Sequence, residues 1–218
     1  ATPDSGVVVA DRVAAAEVLA DLGDPRFLVT PDEWHATTFV ATPRTAASPP
    51  YWCYVQPGTY RIGGWEADQE TADITLPGFW LARFPVTVAQ YAVFMQAGGY
   101  ANERWWTPDG WAWKSEQKIT EPWGWNDADY TGKNQPVIGV TWYEATACCA
   151  WLTEQLSGVL PDGYVIRLPT EAEWEAAAAY DQQMQRRPYP WGADEPTPEH
   201  AIYEDDQGNN LGRAAPVG

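Results

Sequence analysis

Three segments of the chain carry the same helix-start signature, which constrains the fold more than any other feature of the sequence. Thr87, Thr141 and Thr170 are each followed, three residues later, by Gln or Glu. In this pattern the threonine hydroxyl accepts a hydrogen bond from the third helical amide, and the Gln or Glu side chain reaches back to the threonine amide. We therefore expect helices over residues 88–97, 142–156 and 171–180.

Between these helices the sequence contains short runs that are typical of β-strands. The runs fall at residues 60–62, 74–76, 79–81, 137–140 and 164–167. Short strands, short helices and long connections predict an α+β fold with high loop content. We divide the chain into a helical lead-in at 1–27, a proline-rich connector at 28–53 and a main domain at 54–218.

The chain is strongly acidic, with 30 Asp and Glu against 13 Lys and Arg, and a formal net charge of −17 over 218 residues. Nucleic-acid binding needs clustered basic residues that displace counterions from phosphates, so this charge argues against a nucleic-acid partner. It argues equally against docking on anionic lipid. No apolar run approaches the roughly 18 residues of a membrane span. We expect neither nucleic acid nor membrane as a partner.

Cysteine and histidine are sparse: the chain has Cys53, Cys148 and Cys149, with His35 and His200. An odd number of cysteines without a Cys-x-x-Cys motif favours reduced thiols in a cytoplasmic protein over a disulfide framework or a zinc site. Cys148 and Cys149 fall inside a predicted helix, where neighbouring residues point about 100° apart. They are therefore poorly placed to hold one metal together, and we assign no metal ligand.

Residues 100–135 form a long connection rich in tryptophan. Loops of this length are usually functional or disordered, and this aromatic content argues against disorder. Exposed tryptophans can anchor a protein partner or stack on a sugar or a cation, whereas buried ones pack the connection onto its own domain. Both alternatives stay open here. The candidate ligand-binding residues are Trp105, Trp106, Trp111, Trp113, Trp123 and Trp125.

Other residues in the predicted helices are expected to be structural. The tryptophans Trp142, Trp151 and Trp174 are expected in the core. The acidic residues Glu171, Glu173 and Glu175 lie at a predicted helix N-terminus, where the helix dipole favours negative charge. We expect them to cap the helix and to form a solvated face.

Six motifs occur in a fixed order along the main domain. They are VQPGTYRIG at 55–63, FPVTVAQY at 84–91, PVIGVTWYEA at 136–145, RLPTEAEWE at 167–175, YPWG at 189–192 and PVG at 216–218. Together they resemble the formylglycine-generating enzyme family, also called the sulfatase-modifying-factor family. The fold of that family is a variant of the C-type lectin fold, so the resemblance implies a C-type-lectin-like domain over 54–218.

The resemblance also bears on chemistry. Enzymes of this family carry a cysteine pair in the final third of the domain, which binds copper(I) and uses oxygen to convert a substrate cysteine into formylglycine. That segment is not found before Gly218, so no catalytic residue can be assigned. We expect the domain to be incomplete at its C-terminus. Because this would leave strand edges unpaired, we expect a further polypeptide segment to complete it.

Three function classes remain open. The preferred one is a non-catalytic domain that binds or displays a protein or small-molecule ligand, as the sensor or variable-display module of a larger system. The alternative is a formylglycine-generating oxidase, acting on sulfatase cysteines, whose catalytic C-terminal third is absent from this chain. The last is a relative in thiol–histidine oxidative coupling, which uses non-haem iron and needs a histidine-rich iron site, for which His35 and His200 are too few.

No cofactor is expected from the chain itself. Copper would bind only if a cysteine pair follows Gly218. The resemblance implies a calcium-binding Asn near Ile202, but isoleucine stands in its place. The turn at 205–210 offers oxygen ligands for calcium without the ordered spacing of a calcium loop, so a plain polar turn is the preferred interpretation.

Overall fold

The computed structural model describes residues 9–36, 39, 51–66, 69–197, 200–201 and 214–217. The helices are α1 (Val9–Leu22), α2 (Pro31–His35), α3 (Val88–Gln96), α4 (Pro108–Gln117), α5 (Trp142–Gln155) and α6 (Glu171–Ala179). The strands are β1 (Trp52–Val55), β2 (Gly58–Gly63), β3 (Thr71–Leu76) and β4 (Phe79–Ala82). Short 3₁₀ turns occupy Glu103–Trp105 and Ala128–Tyr130. This mixture agrees with the predicted α+β class. Of the helices described, none is long and apolar enough to cross a membrane.

The three predicted helix starts form complete capping boxes, with both reciprocal hydrogen bonds present at each. The predicted helices end within one residue of the observed α3, α5 and α6. A fourth capping box at Thr30 and Glu33 starts α2. The sequence pattern does not predict α2, because this helix lies among the prolines of the expected connector.

Two predicted strands are wrong, and one strand was missed. Residues 137–140 form no strand, although an isolated bridge joins Thr87 to Pro136 just before them. Residues 164–167 form no strand either, and Val165 is exposed. By contrast, β1 pairs with β4 although its first two residues, Trp52 and Cys53, fall in the segment expected to be a connector. A strand needs a partner to supply its hydrogen bonds, and local sequence does not reveal that partner.

The chain divides into two compact units. The first comprises residues 1–37, 84–168 and 197–218, and α3 and α5 surround its aromatic core. The buried members of this core are Tyr91, Phe94, Tyr100, Trp105, Trp106, Ala147, Cys148 and Trp151. On α5 the buried positions repeat with helical spacing from Glu144 to Trp151. The helical spacing in the sequence favours a face with Ala145, Cys149, Leu152 and Leu156, and of these four residues only Leu156 is fully buried.

A polar loop ties distant segments of the first unit together. The carbonyl of Gln135 accepts the Val88 amide at 2.9 Å, at the start of α3. The side-chain amide of Asn134 donates to Asp24 at 3.0 Å. The Asn134 carbonyl accepts the Val217 amide at 2.8 Å. The loop thus joins the lead-in, α3 and the described residues 214–217.

The second unit comprises residues 38–83 and 169–196. It contains two antiparallel strand pairs, β1 with β4 and β2 with β3, and Tyr60 stands opposite Ile74 in the second pair. The core joins β2, β3 and α6 through Tyr60, Leu76 and Ala176. Tyr60 is almost fully buried, and its ring packs edge-on against Tyr180 at 5.0 Å.

The expected solvated acidic face on α6 is only partly correct. Glu171 is exposed and Glu173 makes the capping box, as expected. Glu175, however, is buried, where it accepts the Gly63 amide at 3.0 Å and pairs with Arg186 at 2.9 Å. Glu175 therefore holds α6 against β2 instead of facing solvent.

Candidate functional site

The structure separates the six candidate tryptophans by burial. Trp105 and Trp106 are buried, Trp111, Trp113 and Trp125 are half-buried, and Trp123 is 73 % exposed. Most of the segment therefore packs on its own unit, which is the alternative that the sequence analysis left open. Whether any of the six binds a ligand stays a prediction.

Much of the tryptophan-rich segment is helical, which corrects the expectation of an irregular connection. Thr107 caps α4 by accepting the Gly110 amide at 3.1 Å, and Pro108 occupies the first turn. The helix ends at Gln117, and the C-cap residue Lys118 has a left-handed φ of 55°. A side chain at position 110 would crowd Tyr143, so glycine there permits close packing of α4 on the start of α5.

The backbone conformation around the exposed Trp123 requires two glycines, Gly124 and Gly139. The Trp123 amide donates to the Gly139 carbonyl at 3.2 Å, and a Cβ on Gly139 would collide with the Trp123 carbonyl oxygen. Gly124 has a positive φ of 76°, which reverses the chain between the two neighbouring tryptophans. Trp125 then packs toward Tyr91 at 6.1 Å while Trp123 faces solvent. This arrangement presents one indole on a constrained backbone.

A buried chain of hydroxyl and carboxyl groups lies inside the first unit. The hydroxyls of Tyr91 and Tyr100 are 3.0 Å apart, and Tyr100 donates to Glu144 at 2.5 Å. The other Glu144 oxygen accepts both the amide and the hydroxyl of Thr141 at 2.8 Å. Burial raises the pKa of both Tyr91 and Tyr100, so their hydroxyls stay protonated at neutral pH. These groups form a fixed hydrogen-bond chain.

The adjacent cysteines both lie in α5, where Cys148 is buried and Cys149 is half-buried. Burial raises the pKa of the Cys148 thiol, and it raises the pKa of Cys149 to about 11. Both thiols are therefore protonated at neutral pH in the protein without metal. Neighbouring residues of a helix point about 100° apart, so the two thiols are poorly placed to hold one copper ion together.

The histidines do not fit a metal site either. His35 donates to the Gln155 carbonyl at 2.6 Å, and His200 shares a hydrogen bond with Thr197 at 3.2 Å. Within the described ranges, no group of three or more His, Cys, Asp or Glu residues could hold a metal ion. The candidate calcium turn at 205–210 and Ile202 lie outside the described residues. Neither copper nor iron fits the residues that the structure shows.

Two exposed tryptophans were assigned to the core by mistake. Trp151 is buried as expected, but Trp142 is 61 % exposed and Trp174 is 63 % exposed. Both stand at positions that miss the buried stripe of their helices, which runs through Ala147 and Trp151 in α5. Helical spacing measured back from Trp151 would have placed Trp142 off that stripe. The first unit thus exposes two large indoles, Trp123 and Trp142.

Residues 37–218 match the family described as "Sulfatase-modifying factor enzyme 1-like domain". The chain is 39 % identical over 155 residues to a hercynine oxygenase of Mycolicibacterium thermoresistibile, across 66 % of this chain and 31 % of that protein. It is 36 % identical over 155 residues to a hercynine oxygenase of Mycolicibacterium smegmatis, across 66 % and 32 %. It is 30 % identical over 169 residues to a formylglycine-generating enzyme of Thermomonospora curvata, across 62 % and 50 %.

The chain spans about a third of the length of the two hercynine oxygenases and about half that of the formylglycine-generating enzyme. The family match covers most of the chain and includes all six ordered motifs. The resemblance found in the sequence is therefore confirmed: the chain belongs to the sulfatase-modifying factor family, which includes the formylglycine-generating enzymes.

Proposed function

We propose that this chain is part of an oxygenase that acts on hercynine. The observation that carries the proposal is the higher identity to the two hercynine oxygenases than to the formylglycine-generating enzyme of Thermomonospora curvata. From the sequence alone, thiol–histidine oxidative coupling ranks last among the candidate functions, because the chain has only two histidines. That ranking weighed this chain alone, which spans about a third of such a relative.

The non-catalytic binding or display domain preferred from sequence is not supported. The relatives reported above carry the names of enzymes, so the enzymatic alternative is closer. Formylglycine generation is the second candidate, supported by the family match and by the similarity to a formylglycine-generating enzyme. For the fold we propose the C-type-lectin-like variant, supported by the family match and by the short helices and strands around aromatic cores.

The residues described here fit a supporting and binding role within such an enzyme. The hydrogen-bond chain of Tyr91, Tyr100 and Glu144 holds the loop after α3 against α5. The exposed indoles of Trp123 and Trp142 offer contact surface for a substrate or for a further polypeptide segment. Because no metal site fits the described residues, we assign no reaction step to copper or iron.

The test uses the whole polypeptide that contains this chain, loaded with ferrous iron under air. Hercynine and a cysteine thiol are added, oxygen uptake is followed, and products are identified by mass spectrometry. The expected result is oxygen uptake that requires hercynine, with a product in which sulfur is joined to hercynine. A parallel reaction is loaded with copper(I) and receives a cysteine-containing sulfatase peptide. Formylglycine in that peptide, without any hercynine product, would overturn the first candidate in favour of the second, and no product in either reaction would overturn both.

The cellular setting is also a proposal. We propose that the protein acts in the cytoplasm, as the three unpaired cysteines suggest. Fractionation of the source cells with an antibody to this chain tests that location.

A further inference from the structure

Lys114 places its ammonium group over two indole faces. Its Nζ lies 4.5 Å from the centroid of Trp111 and 5.9 Å from that of Trp106. Trp111 and Lys114 are three residues apart on α4 and therefore share one face of the helix. Although acidic residues outnumber basic ones by 30 to 13, Lys114 pairs with no carboxylate in the part of the chain that the structure describes.

The rings of Trp106 and Trp111 meet at an angle, and the space between their faces is a preorganised aromatic corner. Trp106 is buried, and its Nε1 donates to the Gly99 carbonyl at 2.8 Å, which fixes the plane of the ring. The same ring packs against Tyr100 at 5.6 Å. Trp111 meets it at 6.3 Å with an interplanar angle of 60°. The contacts that orient the Trp106 ring do not depend on Lys114, so the corner is expected to persist when the lysine side chain moves away.

We propose that Trp106 and Trp111 form a binding site for the ammonium group of a small organic cation, and that Lys114 occupies this site in the structure. Indole is the aromatic ring that attracts cations most strongly, and a site without a carboxylate favours weakly hydrated ammonium groups over inorganic ions. Lysine is long and flexible, so its head group can leave the corner while its stem stays on the helix. This inference does not rest on the proposed enzymatic activity.

The competition between Lys114 and a free cation gives a direct test. Tetramethylammonium chloride is titrated into the protein at constant ionic strength, and indole fluorescence reports binding. Lys114→Ala is expected to bind the probe roughly tenfold more tightly than the unaltered protein, because the internal competitor is gone. Lys118→Ala, which removes a lysine just beyond the same helix, is expected to match the unaltered protein. Equal affinity of the two variants would overturn the proposal.

A second measurement follows Lys114 in the unaltered protein, so its main result does not depend on whether a variant folds. In the unaltered protein, ring currents from the two indoles are expected to shift the ε-methylene protons of Lys114 upfield in NMR spectra. Saturating tetramethylammonium is expected to return them to the position of a free lysine, while sodium chloride leaves them shifted. Trp111→Leu is expected to abolish the probe's effect. Trp113→Leu is expected to preserve it, because the Trp113 ring packs against Tyr143 at 5.6 Å instead. A shift that the probe leaves unchanged would contradict the proposal.

Discussion

Tyr100 donates a hydrogen bond to Glu144 at 2.5 Å, although the two residues are 44 positions apart. Glu144 therefore has two partners, since its other oxygen completes the capping box of α5 at Thr141. A residue that the sequence marks as a helix cap also fastens the loop after α3 to α5. Neither carboxylate oxygen is left without a hydrogen bond, which burial in the aromatic core requires.

Removing the Tyr100 hydroxyl should destabilise the folded protein. Tyr100→Phe leaves a buried Glu144 oxygen without its tyrosine donor, so the free energy of unfolding should fall by about 1–3 kcal/mol. Urea unfolding measures the change. Tyr91→Phe is the matched control, because the Tyr91 hydroxyl contacts the Tyr100 hydroxyl but not the carboxylate. Equal losses for the two variants would show that the bond to Glu144 has no special weight.

The buried N-cap of α3 is expected to contribute more to the free energy of unfolding than an exposed hydroxyl does. Thr87 is fully buried and accepts the Gln90 amide, so Thr87→Ala should lower the unfolding free energy by about 1 kcal/mol. Ser157→Ala, at an exposed position just after α5, should change it by less than about 0.5 kcal/mol. Thermal and urea unfolding of both variants test this, and the idea fails if Thr87→Ala unfolds like the unaltered protein.

Asp24 should make stability depend on pH in the acid range. The Arg26 side chain holds the pKa of Asp24 below its ordinary value of 3.8, helped by the Asn134 amide and opposed by burial. A lowered folded-state pKa contributes stability above the unfolded-state pKa, and this stability is lost as pH falls through the folded-state value. Asp24→Asn should therefore be less stable than the unaltered protein at pH 7, and the gap should shrink below about pH 4.

The control for this pH dependence is Asp73→Asn. Asp73 lies 3.7 Å from Arg61, but both side chains are more than half exposed, so this pair should contribute little at any pH. Urea midpoints measured from neutral to acid pH compare the two variants. If the stability difference between Asp24→Asn and the unaltered protein stays constant with pH, the lowered pKa of Asp24 is contradicted.

The paired cysteines should resist alkylation in the folded protein. Because burial raises the pKa of Cys149 from 9.0 to about 11, its thiolate fraction at neutral pH should fall roughly a hundredfold. Cys53→Ser leaves only this pair, and mass spectrometry counts the maleimide adducts over time. Labelling should be slow in buffer and rapid in urea. Equal rates in both would contradict the burial of the pair.

Gly139 should tolerate alanine poorly. Gly139 and Gly163 both have positive φ, at 68° and 81°, so alanine at either position brings backbone strain of about 1–2 kcal/mol. At Gly163 a Cβ meets open space, whereas at Gly139 it collides with the Trp123 carbonyl. Gly139→Ala should therefore lose clearly more stability than Gly163→Ala and should alter Trp123 fluorescence. Similar losses without a spectral change would refute this account.

The helix starts could be predicted because capping is local. Thr87, Thr141 and Thr170 each meet a partner three residues later, and that contact forms in almost any context once the helix begins. The strands could not be predicted equally well. Residues 137–140 have the composition of a strand, yet they find no ladder, and β1 forms because β4 lies beside it.

In the candidate site, too, some features could be predicted from the sequence and others could not. The sequence singled out the tryptophan-rich segment, but it gave equal weight to Trp106, which is buried, and Trp123, which faces solvent. It also assigned Trp142 to the core, although Trp142 lies off the buried face of α5 and is 61 % exposed. The direction in which an indole faces depends on the glycines and loops around it.

The sequence by itself determined the family, through six ordered motifs, and the starts of three helices. These properties are set by residues within a few positions of one another. Only the tertiary structure decided the second partner of Glu144, the exposure of Trp123 and the position of the Lys114 ammonium over Trp106 and Trp111. These depend on packing between separate segments, and burial and orientation arise only when those segments come together.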